Sequence, residues 1–341
     1  MKKFKHTFIF LIISLACFNC SEENATSPEN KESLIVQDEI LNPGEIVKID
    51  DYPLFVMNYK GDYGFHNYLT AIEENKSRLI YQLKDDRKWG CTCFAAMADS
   101  SKIFGRNFDY YHHIALILYA HSPNAYASVS MADISYLGFN EKSNVEELLK
   151  SSSILNSPYC TVDGLNEKGV AVGLMMVPEM QPPYDPNKKN LACCDIIRLI
   201  LDYAASTNEA VSLIQQYNFI DEKNPSHYLI SDCSGKSAIV EFVNKEVKVI
   251  RNNEPFQVST NFIITGSSAP QSTSCWRYNT AYTMLKNANG EINENKGMNI
   301  LSSVSQNITM WSAVYNMKSF SLDISVDKNY NKIYSVKVRD K

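Results

Sequence analysis

The sequence predicts an α+β fold of layered antiparallel sheets, and three observations carry that prediction. Short β-branched and apolar runs recur along most of the chain, two strongly apolar helical segments interrupt them near the middle, and strands return at the end. The chain has 341 residues, 45% hydrophobic and 21% charged, which is the composition of an ordinary globular protein able to bury a sizeable core. The net charge of −5, with no Lys/Arg block outside the first few residues, removes the electrostatic footprint that nucleic-acid binding needs.

Taken in order, the first element is a targeting segment. Lys2, Lys3 and Lys5 precede an apolar run from Phe8 to Ala16 that is too short to span a bilayer and reads as a secretory signal. Cys17 and Cys20 close that run, and the polar, acidic stretch SEENATSPENKES follows with the composition of a tether. This resembles a bacterial lipoprotein signal, and Cys20 followed by Ser21, Glu22 and Glu23 is similar to the anchors of Bacteroidota surface lipoproteins. The resemblance implies a signal peptide over 1–19, a polar tether over 20–35 and lipidation of Cys20 in preference to Cys17. The protein would then be lipid-anchored at the cell envelope, at the outer membrane or cell surface of a Gram-negative bacterium. Neither cysteine follows the usual small-residue lipobox, so simple secretion with ordinary signal cleavage stays open.

Residues Tyr68 to Arg87 place Leu69, Ile72, Leu79, Ile80 and Leu83 among charged residues, which predicts an amphipathic helix ahead of Cys91. Strands are expected at Cys91–Ala98, Ile103–Asn107, Ile114–Ala120, Val170–Val177, Ala238–Val243, Val247–Ile250 and Phe256–Ile264, most of them bounded by turn residues. Helices are expected at Asp195–Ala205 and at Asn208–Tyr217, the second after a Ser206-x-x-Glu209 capping box, and around Thr280–Asn287. Strands at Ser312–Met317, Ser319–Val326 and Lys332–Val338 complete the pattern. Neither an internal repeat nor a second linker divides it.

Of nine cysteines, the two in the signal leave seven, an odd number, so an exported chain would keep at least one unpaired thiol. Those seven lack C-x-x-C spacing and a matching His pair, which argues against a metal site, and nothing calls for a cofactor. In GCTCFAAMADSSKIFGRNFDYYHH a Cys opens a strand, a polar turn spans Asp99 to Lys102, and a second strand delivers Arg106 and Asp109. A hairpin would return both beside Cys91. A thiol is a weak nucleophile until ionised, and a neighbouring guanidinium lowers its pKa. Cys91 and Cys93 share one strand face, whereas the adjacent His112 and His113 point to opposite faces, which disfavours a Cys–His pair.

This segment resembles the choloylglycine hydrolase and N-acylethanolamine-hydrolysing acid amidase superfamily, in which a Cys opens a C-T strand and the next strand carries G-R-N-x-D. Cys91-Thr92 and Gly105-Arg106-Asn107-Phe108-Asp109 fit that pattern. The likeness continues through DGLNEKG from Asp163, HYLISDCSGKSAIVEF, Ser259-Thr260-Asn261-Phe262, Trp276-Arg277-Tyr278 and TMWSAVY from Thr309, and so covers roughly 90–340.

The resemblance implies a four-layer αββα sandwich of the N-terminal-nucleophile hydrolase type. It implies cleavage at Gly90–Cys91, so that residues 36–90 form a pro-segment and 91–341 the catalytic domain. The freed α-amine of Cys91, with a reference pKa of about 7.7–8.0, would act as general base. By the same resemblance Arg106 supports the thiolate, Asp109 holds the amine, Asn261 donates to the oxyanion and Arg277 braces the group. Asp163 and Asn166 read as turn residues with structural roles. Met176 stands where the bile-salt enzymes place an Asn, so the resemblance leaves the acyl group open among bile salt, penicillin, N-acyl amino acid and lipid amide.

The activity expected is hydrolysis of a linear amide of a small N-acyl compound through a Cys91 thioester. The 20–90 segment is expected to stay associated with the 91–341 chain without a covalent bond. An acyltransferase using the same acyl-enzyme, or a non-catalytic lipoprotein binding an amphipathic ligand, are the alternatives.

Overall fold

The computed structural model describes residues 32–36, 44–70, 90–111, 114–221, 224–267 and 274–337. The signal peptide with Cys17 and Cys20, most of the tether, His112 and His113, and Ile72, Leu79, Ile80 and Leu83 of the expected helix lie outside them.

Three strands and a helix precede the expected nucleophile: β1 (Glu32–Val36), β2 (Ile46–Asp50), β3 (Leu54–Lys60) and α1 (Phe65–Thr70). Glu32–Ile35, at the end of the expected tether, pair with the C-terminal strand, as the apolar run Leu34-Ile35-Val36 favours. Then come β4 (Gly90–Ala96), β5 (Ile103–Asp109), β6 (Ala115–His121), β7 (Ser128–Asp133), α2 (Val145–Lys150), β8 (Thr161–Asn166) and β9 (Val170–Met176). The middle holds a short β10 (Asn190–Leu191), α3 (Cys193–Tyr203), α4 (Thr207–Ile214), a short β11 (Asn218–Phe219), β12 (Ser226–Asp232), β13 (Ser237–Val243), β14 (Glu246–Arg251) and β15 (Phe256–Ser259). The chain closes with α5 (Trp276–Asn287), α6 (Glu294–Ser303), β16 (Thr309–Asn316), β17 (Ser321–Val326) and β18 (Lys332–Lys337).

Two large sheets result. One runs β1-β18-β17-β16-β5-β4-β15, the other β14-β13-β12-β9-β8-β7-β6-β3-β2. Helices α5 and α6 cover the first sheet over β15, β5 and β16, while α3 and α4 cover the second over β8, β9, β12 and β13. This is the αββα sandwich. Strand β4 has a helix on one face and a sheet on the other, so all seven residues of GCTCFAA are buried and the run reads as continuously apolar rather than alternating. Gly173 lets the sheets close: a Cβ there would lie 3.0 Å from Cys93 Sγ and 3.4 Å from Phe104 Cε1.

Most expected elements form within a few residues of their predicted ends. Helix α4 starts behind Ser206, whose hydroxyl accepts from Glu209 N at 3.2 Å, while the Glu209 carboxylate accepts from Ala205 N at 2.6 Å. Two expectations change. The strand from Phe256 stops at Ser259, because the chain must turn there to bring Asn261 over the other sheet. The DGLN part of DGLNEKG belongs to β8, with the turn confined to Glu167 and Lys168. Helices α2 and α6 and strands β2, β3, β7, β8, β10, β11 and β12 have no counterpart among the expected elements, being short or lacking a clean period. Among the described residues no helix is long and apolar enough to cross a membrane.

Candidate active site

Strands β4 and β5 pair antiparallel with Gly90 opposite Asp109, Cys91 opposite Phe108 and Cys93 opposite Arg106. The expected hairpin is present, and its register sends the Arg106 side chain to both thiols. Arg106 Nη2 lies 3.5 Å from Cys91 Sγ and Nη1 lies 3.4 Å from Cys93 Sγ. Arg106 is wholly buried, its Nη1 also donates to the Leu174 carbonyl, and its Nε pairs with Asp163 Oδ2 at 2.9 Å. Asp163 in turn accepts from the Tyr315 hydroxyl. The residue read as a turn former is therefore the counter-ion of Arg106. Its place in a turn-like DGLNEKG stretch hid it, since only the contact between β8 and β5 across the sandwich reveals the pair.

The backbone of Cys91 is held by two more of the expected residues. Its N–H donates to Asn261 Oδ1 at 2.6 Å, and its carbonyl accepts from Arg277 Nη1. Arg277, near the start of α5, also donates through Nη2 to Asn261 Oδ1 at 3.1 Å and through Nη1 to Thr92 Oγ1 at 3.2 Å. Asn261 Nδ2 is occupied by the Met176 carbonyl at 2.8 Å. In the uncut chain, then, Asn261 rather than Asp109 accepts from the Cys91 nitrogen. The Asp109 carboxylate is 1% exposed and accepts from Thr309 Oγ1 at 2.6 Å and Gln306 Nε2 at 2.5 Å. The other four expected residues, Arg106, Asp109, Asn261 and Arg277, thus converge on Cys91 or its neighbour Gly90.

The loop carrying Asn261 is clamped by residues the sequence did not single out. His227 Nδ1 lies 3.1 Å from Glu241 Oε1 and its Nε2 lies 2.6 Å from the Thr260 carbonyl. Glu241 accepts from the amides of Ile264 and Thr265, each at 2.8 Å. Burial alone would raise the Glu241 carboxyl, but the bonds from His227, Ile264 and Thr265 hold it below the usual carboxylate range.

The electrostatics of the thiols differ from the sequence expectation. Burial pushes the Cys91 thiol up, and the Arg106 guanidinium opposes that shift without reversing it. Cys93 is pushed up to about 12 by the same burial, again against Arg106. Cys91 is 4% exposed and forms the floor of a narrow apolar cleft walled by Phe108, Tyr110, Tyr136, Val162, Leu174 and Met176. The vicinal Cys193 and Cys194, with sulfurs 3.8 Å apart, close one end beside Asn224 and Ser226. Among the described residues no group of three or more His, Cys, Asp or Glu side chains is arranged to hold a metal ion.

Comparison with known proteins decides the family. The sequence model of the linear amide C-N hydrolases, choloylglycine hydrolase family, matches residues 91–263, beginning on Cys91 itself. The chain belongs to that family. A penicillin V acylase of Pectobacterium atrosepticum is 34% identical over 113 residues, which is 30% of this chain and 30% of that protein. The chain thus aligns with less than a third of that relative's length. Among solved structures, a mutant of the conjugated bile acid hydrolase from Clostridium perfringens is 16% identical, covers 73% of this chain and 92% of its own, and superposes with a TM-score of 0.50. The penicillin V acylase from Agrobacterium tumefaciens is 18% identical over 70% of this chain and 83% of its own, with a TM-score of 0.48. The choloylglycine hydrolase family membership and the αββα architecture agree, and the family places this chain among hydrolases of linear carbon–nitrogen amide bonds.

Proposed function

We propose that the chain hydrolyses the amide bond of a small N-acyl compound, with Cys91 as nucleophile after cleavage of Gly90–Cys91. The observation that carries this reading is the convergence of Arg106, Asn261 and Arg277 on Cys91 at the floor of an apolar cleft. The family match starting on Cys91 supports the same choice of nucleophile.

A buried thiol held neutral needs a base beside it, and cleavage supplies one: the Cys91 nitrogen becomes an amine at the position where its amide now donates to Asn261. The amine takes the thiol proton as Sγ bonds to the acyl carbon. It then passes that proton to the leaving nitrogen as the C–N bond breaks. Water attacks the thioester, giving the carboxylic acid and restoring the thiol. Arg106 supports the sulfur as it gains charge. Asp109, 1% exposed and opposite Gly90, receives the new ammonium. Asn261 can turn its Nδ2 from the Met176 carbonyl to the oxyanion, and Arg277 fixes Asn261 and the Cys91 backbone.

The bond to be cut is buried within a paired strand, which an external protease cannot engage, so the cut is assigned to Cys91 itself. Sγ attacks the Gly90 carbonyl, the Cys91 nitrogen takes the proton as it leaves, and water hydrolyses the thioester to a Gly90 carboxylate. The signal and Cys20 further assign the protein to the cell envelope, with residues 20–90 remaining as its tether. Strand β3, paired over seven residues with β6, supports that association. The test is denaturing mass spectrometry of a preparation active on a chromogenic N-acyl amide. Two chains are expected, the larger beginning at Cys91 and carrying an acyl adduct after a rapid quench. An active preparation holding only the intact chain would overturn the amine-base mechanism.

A further inference from the structure

The residue before the cut has a steric environment of its own. A Cβ added at Gly90 would lie 2.3 Å from Gln306 Nε2, 3.3 Å from its Cδ and 3.4 Å from Asp109 Oδ2. Gln306 is not free to step aside, because its Nε2 donates to Asp109 Oδ2 at 2.5 Å and its backbone N donates to Thr309 Oγ1 at 2.7 Å. Thr309 N returns a bond to the Gln306 carbonyl at 3.0 Å, and the Thr309 hydroxyl holds the other Asp109 oxygen at 2.6 Å. The turn 306–309 is therefore a two-pronged clip on the Asp109 carboxylate, and one prong lies against the α-carbon of Gly90. Any side chain at position 90 must push the Gln306 amide off a buried carboxylate, which costs a charge-assisted hydrogen bond, or displace the start of β4 and with it Cys91.

We propose that Gln306 is the specificity-determining residue of the maturation cut, admitting only glycine at position 90 while keeping Asp109 posted beside the bond that breaks. The inference rests on the reading that Gly90–Cys91 is cut by Cys91. Gln306 lies in no motif that carries the sequence resemblance, and it touches Asp109 and Gly90 rather than the thiol. Its part is selection at the precursor stage.

The test follows conversion of the intact chain to two chains by denaturing mass spectrometry in wild type, Gly90→Ala, Gly90→Val, Gln306→Ala and the Gly90→Ala/Gln306→Ala pair, each with its urea midpoint measured. Gly90→Ala should be cut at least about tenfold more slowly than wild type, and Gly90→Val more slowly still. Gln306→Ala should be cut within a few-fold of wild type. In the Gln306→Ala background, Ala at position 90 should be cut within about threefold of Gly. Cutting of Gly90→Ala at the wild-type rate overturns the proposal, as does a double variant as slow as Gly90→Ala with an unchanged urea midpoint. A wild-type chain that stays intact while active defeats the processing reading itself, and that outcome is distinct from both. Should Gly90→Ala fail to fold, the Gly90→Ala/Gln306→Ala pair decides in its place: a folded pair cut within about threefold of Gln306→Ala supports selection by Gln306, and a folded pair cut at least about tenfold more slowly refutes it.

Discussion

Replacing Asp163 by Asn should do more damage than a residue in a turn signature suggests. Arg106 and Asp163 are both 0% exposed, and the contact from Nε to Oδ2 is 2.9 Å. Removing one partner of such a pair leaves an uncompensated buried charge, which costs about 3–5 kcal/mol. Asn keeps the shape and one acceptor for the Arg106 Nε, while its Nδ2 can donate to the Tyr315 hydroxyl that now donates to Oδ1, so the lower end, about 3 kcal/mol, is expected. At roughly 2–4 °C per kcal/mol for a chain somewhat smaller than this one, the melting temperature should fall by about 6–12 °C. The same substitution frees the guanidinium that reaches Cys91 Sγ at 3.5 Å and Cys93 Sγ at 3.4 Å, so turnover should fall as well. Urea unfolding and kcat for Asp163→Asn and for Arg106→Met/Asp163→Asn measure the two effects. The double variant should regain most of the stability, since no charge is left unpaired, and none of the activity. A loss below about 1 kcal/mol in Asp163→Asn, or full activity in the double variant, would refute the reasoning.

Three further outcomes follow from the site. Cys91→Ala should abolish turnover and Cys93→Ala retain most of it, because only Cys91 also presents its nitrogen to Asn261; a lethal Cys93→Ala with an active Cys91→Ala reverses the assignment. Asn261→Ala should lower kcat by about 10²- to 10³-fold as a lost oxyanion donor, and an unchanged kcat removes it from the chemistry. The Glu241 carboxyl is held below its usual range in the folded state, so its clamp contributes stability above the unfolded carboxylate value of about 4.3 and loses it as pH falls through the lower folded value. The stability difference between wild type and Glu241→Gln should therefore be constant above about pH 5 and shrink below about pH 4; a difference that persists undiminished to pH 3 contradicts the clamp.

The sequence made the local pieces legible and left their long-range partners hidden. Cys91, Arg106 and Asp109 could be joined because a single short turn separates their strands, and period-two alternation puts Cys91 and Cys93 on one face. Asn261 and Arg277 were legible only through ordered resemblance, since each alone reads as a turn cap or a surface ion-pair partner. Asp163 was missed because a buried counter-ion has no sequence signature when its partner lies 57 positions away by numbering, Arg106 to Asp163. Glu241 and His227 sit in HYLISDCSGKSAIVEF, a stretch read for its family likeness and, over Ala238–Val243, for its strand pattern, neither of which gives these two side chains a role. The direction of the Cys91 shift was also hidden, because neighbouring charge can be read from a motif and burial between two sheets cannot.

The position of the cut fits a chain that has to survive it. Cys91 is the second residue of β4 in the seven-stranded sheet, so breaking Gly90–Cys91 removes from that strand only the pairing of Gly90 with Asp109. The residues upstream are held elsewhere: β3 runs parallel to β6 from Leu54↔Ala115 to Lys60↔His121 in the nine-stranded sheet, with β2 outside it. Leu54, Phe55, Val56, Met57 and Phe65 are essentially fully buried, and each such side chain is worth roughly 1.5–3 kcal/mol before the cost of ordering. Sheet hydrogen bonds and apolar burial, joined by Tyr68 and Leu69 at the start of the expected helix, which pack on the core, therefore supply the described contacts that would keep a nicked pair together. The proposed cut would then free the amine without freeing the domain. Two chains that co-migrate in a native separation and separate in denaturant are the expected result, and both should remain in the membrane fraction when Cys20 is lipidated. Leu54→Asp/Val56→Asp should release the 91–341 chain into the soluble fraction. A chain pair that dissociates in the unmodified protein would leave the buried strand β3 without the role assigned to it.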